Sequence, residues 1–482
     1  MFWRGVFGYL PVQATLALVG FGAIMAFTRL LTPEQYGQYA LAVSTAAVVH
    51  AVFLVWIEAA MERFTLPETE RGDGPAHFAT LHAAYFGVSV VLLAGAGVAL
   101  LTLPLERELR LALAAGFGSL VVSTGLRLVQ ERRRAQGRVV AYAVYAMLTA
   151  VSGFVLGAVF AEAGWGAASV LTGIAMATGL MLLASAPSEL RLGRGGRVEP
   201  ARLRRYAAYG LPISLSLVLA QALFSADRFL IAAFLDPESV GYYHAGHGLA
   251  YRTLDILFTW IALAGSPAMI AALERGGPEA LRPAARTQAE VMMLVCLPAA
   301  VGLALVAGPL AEVMVGEDLR AGAARVIPWI AASGFFGGLT AYYLDHAFTL
   351  ARRSGLMVAA SVVPAAASIG LNLLLIPRFG LDGAMWASTS AFAIGAFASW
   401  LLARRVMPLP LPWSATARAA LAAAAMAAAV LALPRLGGAA ELLLKAGVGA
   451  LVYAVLAYAL DVAGERTRTS ALLRLRPALP NP

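Results

Sequence analysis

Apolar stretches of about 20 residues, nearly free of charge, recur along this sequence and narrow its folding options more than any other feature. A helix rises about 1.5 Å per residue, so a stretch of that length crosses about 30 Å of hydrocarbon. About fourteen are read, at 7–28, 38–60, 78–103, 111–130, 140–161, 166–186, 207–234, 242–265, 289–313, 327–350, 356–376, 383–403, 416–434 and 440–461. Of the 482 residues, 60% are hydrophobic and 13% are Asp, Glu, Lys or Arg, about half the charged share of a globular protein. Mean hydropathy is +0.76. A soluble core cannot hide so much apolar surface, which makes the expected fold class an all-α polytopic membrane protein. Met1–Gly5 with Arg4 imitates a secretory leader, but the apolar run that follows is too long and lacks a cleavage site, so it is read as the first membrane helix.

Several function classes fall away on composition. Lys445 is the only lysine among the 36 basic residues, and it lies inside an apolar segment, so no phosphate-cradling G-x-x-x-x-G-K-[ST] loop is encoded. Cys296 stands alone, which excludes an internal disulfide and a C-x-x-C metal or redox site. His244 and His247 are spaced by three, but no thiol or carboxylate matches them at metal-ligand spacing; interfacial hydrogen bonding beside Tyr242 and Tyr243 is expected instead, and no cofactor or metal is called for. The net charge of +9 comes from arginines that interrupt apolar runs rather than form one basic domain. Anionic membrane lipids, not nucleic acid, are their expected partners. No loop exceeds roughly two dozen residues, which leaves no outer domain for an active site. A transporter without ATPase or glycosyltransferase motifs is expected, not an enzyme.

With both termini in the cytoplasm, basic residues on the inner side outnumber those outside by about three to one. The richest loop is Pro187–Arg205, with Arg191, Arg194, Arg197, Arg202, Arg204 and Arg205, read as a topological anchor and linker. The chain also repeats itself. Leu31-Thr32-Pro33-Glu34-Gln35-Tyr36-Gly37-Gln38-Tyr39 returns as Leu235-Asp236-Pro237-Glu238-Ser239-Val240-Gly241-Tyr242-Tyr243, sharing L-x-P-E-x-x-G-x-Y. A fainter echo links Gly164–Ser169 with Gly380–Ser388, before the sixth and the twelfth stretch. An even number of helices between equivalents implies a parallel repeat: two six-helix lobes around a central cavity, with substrate bound between them. The expected divisions are an N-terminal lobe at 1–186, a basic cytoplasmic linker at 187–206, a C-terminal lobe at 207–405, two additional helices at 406–462 and a cytoplasmic tail at 463–482. In the repeated loop, Pro would start a helix, Gly would permit a tight turn and Tyr would anchor at the interface.

At these residues the chain resembles the multidrug/oligosaccharidyl-lipid/polysaccharide exporter superfamily, in particular its polysaccharide-transporter branch of Wzx-like flippases. The similar features are Leu31–Tyr39 leading into Ala40-Leu41-Ala42, then Tyr209-Gly210-Leu211-Pro212 opening the seventh stretch, Ser225-Ala226-Asp227-Arg228 closing it, and Asp236–Tyr243 following. The resemblance implies a multi-pass protein of the bacterial cytoplasmic membrane that translocates an isoprenoid-pyrophosphate-linked oligosaccharide for polysaccharide or lipopolysaccharide biosynthesis. It also implies alternating access, coupling to an H+ or Na+ gradient, and a polysaccharide polymerase or glycosyltransferases as neighbours. A sugar headgroup needs a polar path while its prenyl tail stays in lipid, and its phosphates suit the bidentate guanidinium fork. The sequence departs from the family in having no arginine pair early in the first two stretches, so a pyrophosphate clamp must lean on Arg228 and Arg252.

Ionisable groups inside membrane helices cost a few kcal/mol each unless a cavity, partner or function offsets them. Arg252 and Asp255, three apart on one helical face, form the leading candidate site, read as a pyrophosphate clamp with a releasing or proton-carrying carboxylate, or as a local ion pair. Arg228, Gln221 and Asn372 complete the substrate candidates; Asp227, Glu58 and Asp345 join Asp255 as ion-coupling candidates. Glu58, Arg127 and Asp345 are placed near the cytoplasmic ends of their helices, where long side chains snorkel. A drug or metabolite cation antiporter of the same superfamily is the first alternative, kept open by these carboxylates. A non-transporting scaffold of a glycan assembly complex is the second.

Overall fold

A computed structural model describes residues 2–462 and 464, and all regular structure among them is helical. The chain forms two compact units, Met1–His244 and Ala245–Pro482. The first holds α1 (Phe2–Leu30), α2 (Pro33–Phe53), α3 (Val55–Glu70), α4 (Gly74–Thr102), α5 (Arg107–Ala135), α6 (Val139–Glu162), a 3₁₀ turn (Gly166–Ala168), α7 (Ser169–Leu192), α8 (Pro200–Phe234) and the first turns of α9 (Pro237–Leu305). The second holds the rest of α9, then α10 (Ala307–Met314), α11 (Glu317–Leu339), a π-helical turn (Thr340–Leu344), α12 (His346–Leu350), α13 (Ser354–Phe379), α14 (Leu381–Val406), α15 (Trp413–Leu431) and α16 (Gly438–Ala459). Apart from Gly464, the expected tail at 463–482 lies outside the described residues.

Only helices and closed barrels satisfy every backbone N–H and C=O within hydrocarbon, and the side chains carry the matching signature. Large apolar residues cover the exterior, among them Leu18 (74% exposed), Leu101 (85%) and Leu431 (73%). Among the described residues, eleven helices are long and apolar enough to cross a bilayer, or twelve with the bent pair α2 and α3 as one span. This is a multi-pass membrane protein. A count of fourteen requires α9, 69 residues long and broken at Gly277, to cross twice, and Glu317–Leu350 to cross once.

The linker at 187–206 is largely helical, since α7 runs to Leu192 and α8 starts at Pro200. Two of its arginines, Arg202 and Arg205, are tied down. Arg202 reaches the buried Glu68, Arg205 meets the same carboxylate at 2.5 Å, and Arg202 also pairs with Asp73 and Glu199. Behind them the Tyr206 hydroxyl lies 2.6 Å from His77 Nδ1, and His77 Nε2 lies 3.2 Å from Thr65 Oγ1. This clamp holds the start of α8 against α3 and α4, which groups the seventh helix with the first six.

The repeated motif begins a helix in both copies. At Thr32 a capping box is complete, with the Gln35 N–H donating to Thr32 Oγ1 and the Thr32 N–H to Gln35 Oε1, both at 3.2 Å, and Pro33 follows in the first turn. At Asp236 the carboxylate accepts the Ser239 N–H at 2.6 Å. Gly37 is not at a turn, as its sequence context suggested, but inside α2. There a Cβ would lie 1.7 Å from the Pro237 carbonyl oxygen and 3.0 Å from the Gly241 nitrogen. The two copies of the motif therefore pack on each other, backbone to backbone, and a small residue is what permits that approach. The fainter echo also has a structural meaning, because it marks the α6–α7 and the α13–α14 connection, one helical hairpin in each unit.

Gly37→Ala should destabilise the protein by about 1–3 kcal/mol or more through overpacking against backbone that cannot rotate away. Gly87→Ala, where a Cβ meets nothing within 4 Å, should be neutral. Thermal unfolding of the two detergent-purified variants, followed by size-exclusion chromatography, measures the difference.

Candidate functional site

The second membrane stretch is not one straight helix. It breaks at Leu54 into α2 and α3, bent by 51°. Neither proline nor glycine lies at the break. The backbone is nevertheless nearly satisfied: Leu54 N–H donates to the His50 carbonyl at 3.0 Å, and the Trp56 indole N–H donates to the Phe53 carbonyl at 3.0 Å. α8 packs directly on this bend, since a Cβ on Gly210 would lie 2.5 Å from the Trp56 carbonyl oxygen.

The bend puts His50 in the last turn of α2 and Glu58 in the first turn of α3. A helix C-terminus favours a cation and an N-terminus an anion, so both charges sit where the local dipoles favour them. In an unbroken helix these residues would be about 12 Å apart along the axis; here His50 Nε2 lies 2.9 Å from Glu58 Oε1. Arg127 of α5 brings Nη1 to 3.2 Å from the same imidazole nitrogen. Its guanidinium is exposed and, among the described residues, forms no salt bridge with a carboxylate.

These three groups line a cavity of about 720 Å³ within the first unit. Ser119, Ser123 and Arg127 recur at helical spacing on one face of α5, and Leu217, Ala220, Gln221 and Phe224 on one face of α8. The Gln221 amide donates to Ser225 Oγ at 2.5 Å. Apolar walls come from α2 and from Leu171 and Ile174 of α7. A second cavity of about 490 Å³ continues along the same helices with Glu62, Arg63 and Tyr209. Arg134 stands beside it, paired with Glu62 at 2.6 Å and Glu131 at 2.8 Å.

Of the candidates named from sequence, Glu58 and Gln221 are thus brought together, with Arg127 beside them. Glu58 stands at the start of α3, which the bend creates, while Arg127 lies about two turns before the end of α5 at Ala135. Asp227 and Arg228 occupy a buried knot where α8 meets α9. The Tyr243 hydroxyl donates to Asp227 Oδ2 at 2.5 Å, Arg228 Nε donates to His244 Nδ1 at 3.2 Å, and Arg228 Nη1 donates to the Phe224 carbonyl. The His244 ring in turn packs on Tyr36 and Tyr39 of the first motif copy.

In the second unit Arg252 and Asp255 form no ion pair: Asp255 accepts the Tyr342 hydroxyl at 2.8 Å, and Tyr342 accepts that of Thr259 at 2.9 Å. Arg252 is exposed, with no ion-pair partner among the described residues. Asp345 follows the π-helical turn, its Oδ1 buried without a hydrogen bond, while the neighbouring His346 Nε2 lies 2.9 Å from Ser266 Oγ. Asn372 is fully buried and donates to the Ser368 carbonyl at 2.8 Å, as polar contacts between turns of a membrane helix do. Sequence reasoning missed His50. A single histidine in an apolar run carries no periodic signal, and only the bend brings it to Glu58.

Residues 25–321, more than half of the chain, match the family described as "Polysaccharide biosynthesis protein", and the chain belongs to that family. No curated protein matches it. The fold is similar to that of the lipid II flippase MurJ in an inward closed conformation, with a TM-score of 0.76 at 14% identity, covering 94% of this chain and 98% of that one. It is also similar to an inward-facing multidrug resistance MATE family transporter of the MOP superfamily, with a TM-score of 0.61 at 15% identity over 81% of this chain and 94% of that one. A MATE protein in complex with MaL6 follows, at 0.55 and 14% over 83% and 94%. At such identities the likeness is one of fold. With the family match it bears out the superfamily resemblance carried by the two L-x-P-E-x-x-G-x-Y copies.

Cys296, the only cysteine, is fully buried, which makes thiol labelling clean. Ser123→Cys and Gln221→Cys should react with a polar methanethiosulfonate at least about tenfold faster than Asn372→Cys, because reaction follows access to the thiolate. Mass spectrometry over a time course gives the rates.

Proposed function

We propose that this protein flips an isoprenoid-pyrophosphate-linked oligosaccharide from the inner to the outer leaflet of the bacterial cytoplasmic membrane, by alternating access, with both termini in the cytoplasm. The observation that carries this reading is the polar cavity inside an otherwise apolar helical unit, in which Arg127 offers an exposed guanidinium that, among the described residues, forms no carboxylate salt bridge. Its volume lies within the about 300–1,000 Å³ of ordinary ligand pockets. Hydroxyls of Ser119 and Ser123 and the amide of Gln221 supply hydrogen bonds to sugar, and Arg127 supplies a charge-assisted contact to phosphate. In the second unit Arg252, exposed and without an ion-pair partner among the described residues, is a separate candidate for contact with an anionic headgroup. Glu58, with His50 at 2.9 Å, is assigned to the coupling ion, H+ or Na+. Membership of a polysaccharide biosynthesis family supports a glycan cargo, with a polymerase or glycosyltransferases supplying and consuming it.

A second reading, a drug or metabolite cation antiporter, is favoured by one observation: Glu58, Glu62 and Glu131 gather along the same pair of helices. Purified protein in liposomes separates the two. A fluorescent prenyl-pyrophosphate glycan should move between leaflets, and Arg127→Ala should slow it about ten- to a hundredfold, the effect of losing one charge-assisted hydrogen bond of about 1.5–3 kcal/mol. Equal rates in the variant would remove Arg127 from the cargo site. Export of cationic dyes that stops in Glu58→Gln, with no glycan movement, would establish the antiporter.

A further inference from the structure

His50 Nε2 faces two partners with one orbital. An imidazole nitrogen either carries a proton and donates, or bears a lone pair and accepts. As a carboxylate, Glu58 with Oε1 at 2.9 Å requires Nε2 to donate, whereas Arg127 Nη1 at 3.2 Å, a pure donor, requires it to accept. Both contacts cannot be hydrogen bonds at once. We infer that His50 is a proton site whose Nε2 decides whether Arg127 is held by the protein or released to an anionic headgroup in the cavity; this rests on the cavity being the cargo site.

The two states follow from the geometry. A neutral ring protonated on Nδ1 presents the Nε2 lone pair to Arg127 and keeps the guanidinium against α2. Proton uptake gives an imidazolium, which can only donate. It then binds Glu58, and Arg127 loses its acceptor and turns to the cavity. Because linkage is reciprocal, an anion bound to Arg127 also favours the proton on His50. The setting is mixed in charge. α3 contributes Glu58 and Glu62, and α5 contributes Arg127, Glu131 and Arg134. α7 and α8 face the cavity with uncharged residues, Gln221 among them.

The test uses full-length protein in detergent and inorganic sulfate, whose charge is constant over the range. Sulfate affinity should rise about tenfold from about pH 8 to about pH 5.5, the interval in which histidine changes charge. His50→Gln should flatten that slope, since an amide can donate to Glu58 and accept from Arg127 together and so removes the exclusive choice. Nitrogen NMR of the imidazole gives a second readout that survives a folding defect in that variant. Wild type at about pH 8 should show the Nδ1–H tautomer, and Arg127→Gln, which removes only an exposed group, should convert it to Nε2–H. An Nε2–H ring in wild type at that pH, or an unchanged sulfate slope in His50→Gln, overturns the inference even where glycan flipping is intact. A tautomer switch in a protein that flips no prenyl-linked glycan would instead keep the proton site and reject the flippase.

Discussion

A backbone in hydrocarbon has no water to fall back on, so a helix that breaks inside the bilayer must find internal partners for the groups it frees. The break between α2 and α3 meets that demand with the Leu54 N–H and the Trp56 indole, both turned back onto carbonyls of α2. Much else depends on this accommodation. Two half-helix ends are created within the first unit, with opposite dipoles, and a histidine and a glutamate occupy the ends that favour them. The close seat of Gly210 on Trp56 brings α8 and Gln221 to the same place. The polar cavity is thus a by-product of how one span is bent.

The other buried charges show the opposite outcome. Glu68 is wrapped by Arg202 and Arg205, and Arg132 meets Glu189 through two contacts, at 2.8 and 2.5 Å, with both side chains nearly inaccessible. Asp227 and Arg228 are taken up by Tyr243, His244 and a carbonyl. In low dielectric, a charge pair that is fully satisfied within the protein orders its helices, because removing either partner strands the other. Such pairs have little capacity left for a ligand. Among the described residues, Arg127 differs in being exposed and in meeting a neutral-capable ring rather than a carboxylate, and Arg252 in having no ion-pair partner. What separates a structural arginine from an available one here is its partner, not its depth in the sequence.

The duplicated motif joins these themes. Its prolines and caps begin two helices, and its glycines let the two copies meet at backbone distance, with the His244 ring packed against Tyr36 and Tyr39 and tied to Arg228. The Asp-Arg pair that reads as a candidate site in sequence is the packing beneath that crossing. Repeats that share a function often share only a joint, and here the joint lies within Met1–His244.

Apolar run length and sparse charge were sufficient to read an all-helical, multi-pass chain, and the repeated L-x-P-E-x-x-G-x-Y was sufficient to read its superfamily, because hydrophobic burial and helix starts are written locally. Glu58 and Gln221 were legible as polar groups in apolar runs. Their meeting was not, and neither was the part of His50. A kink usually announces itself by proline or glycine, and this one has neither near Leu54. Arg252 and Asp255 show the converse, a spacing that permits an ion pair which the Tyr342 hydroxyl displaces. Sequence determines which residues can enter a membrane helix, since that depends on each residue's own transfer energy. Which charges face one another depends on bends and crossings set by packing between distant helices, and only the tertiary structure decides those.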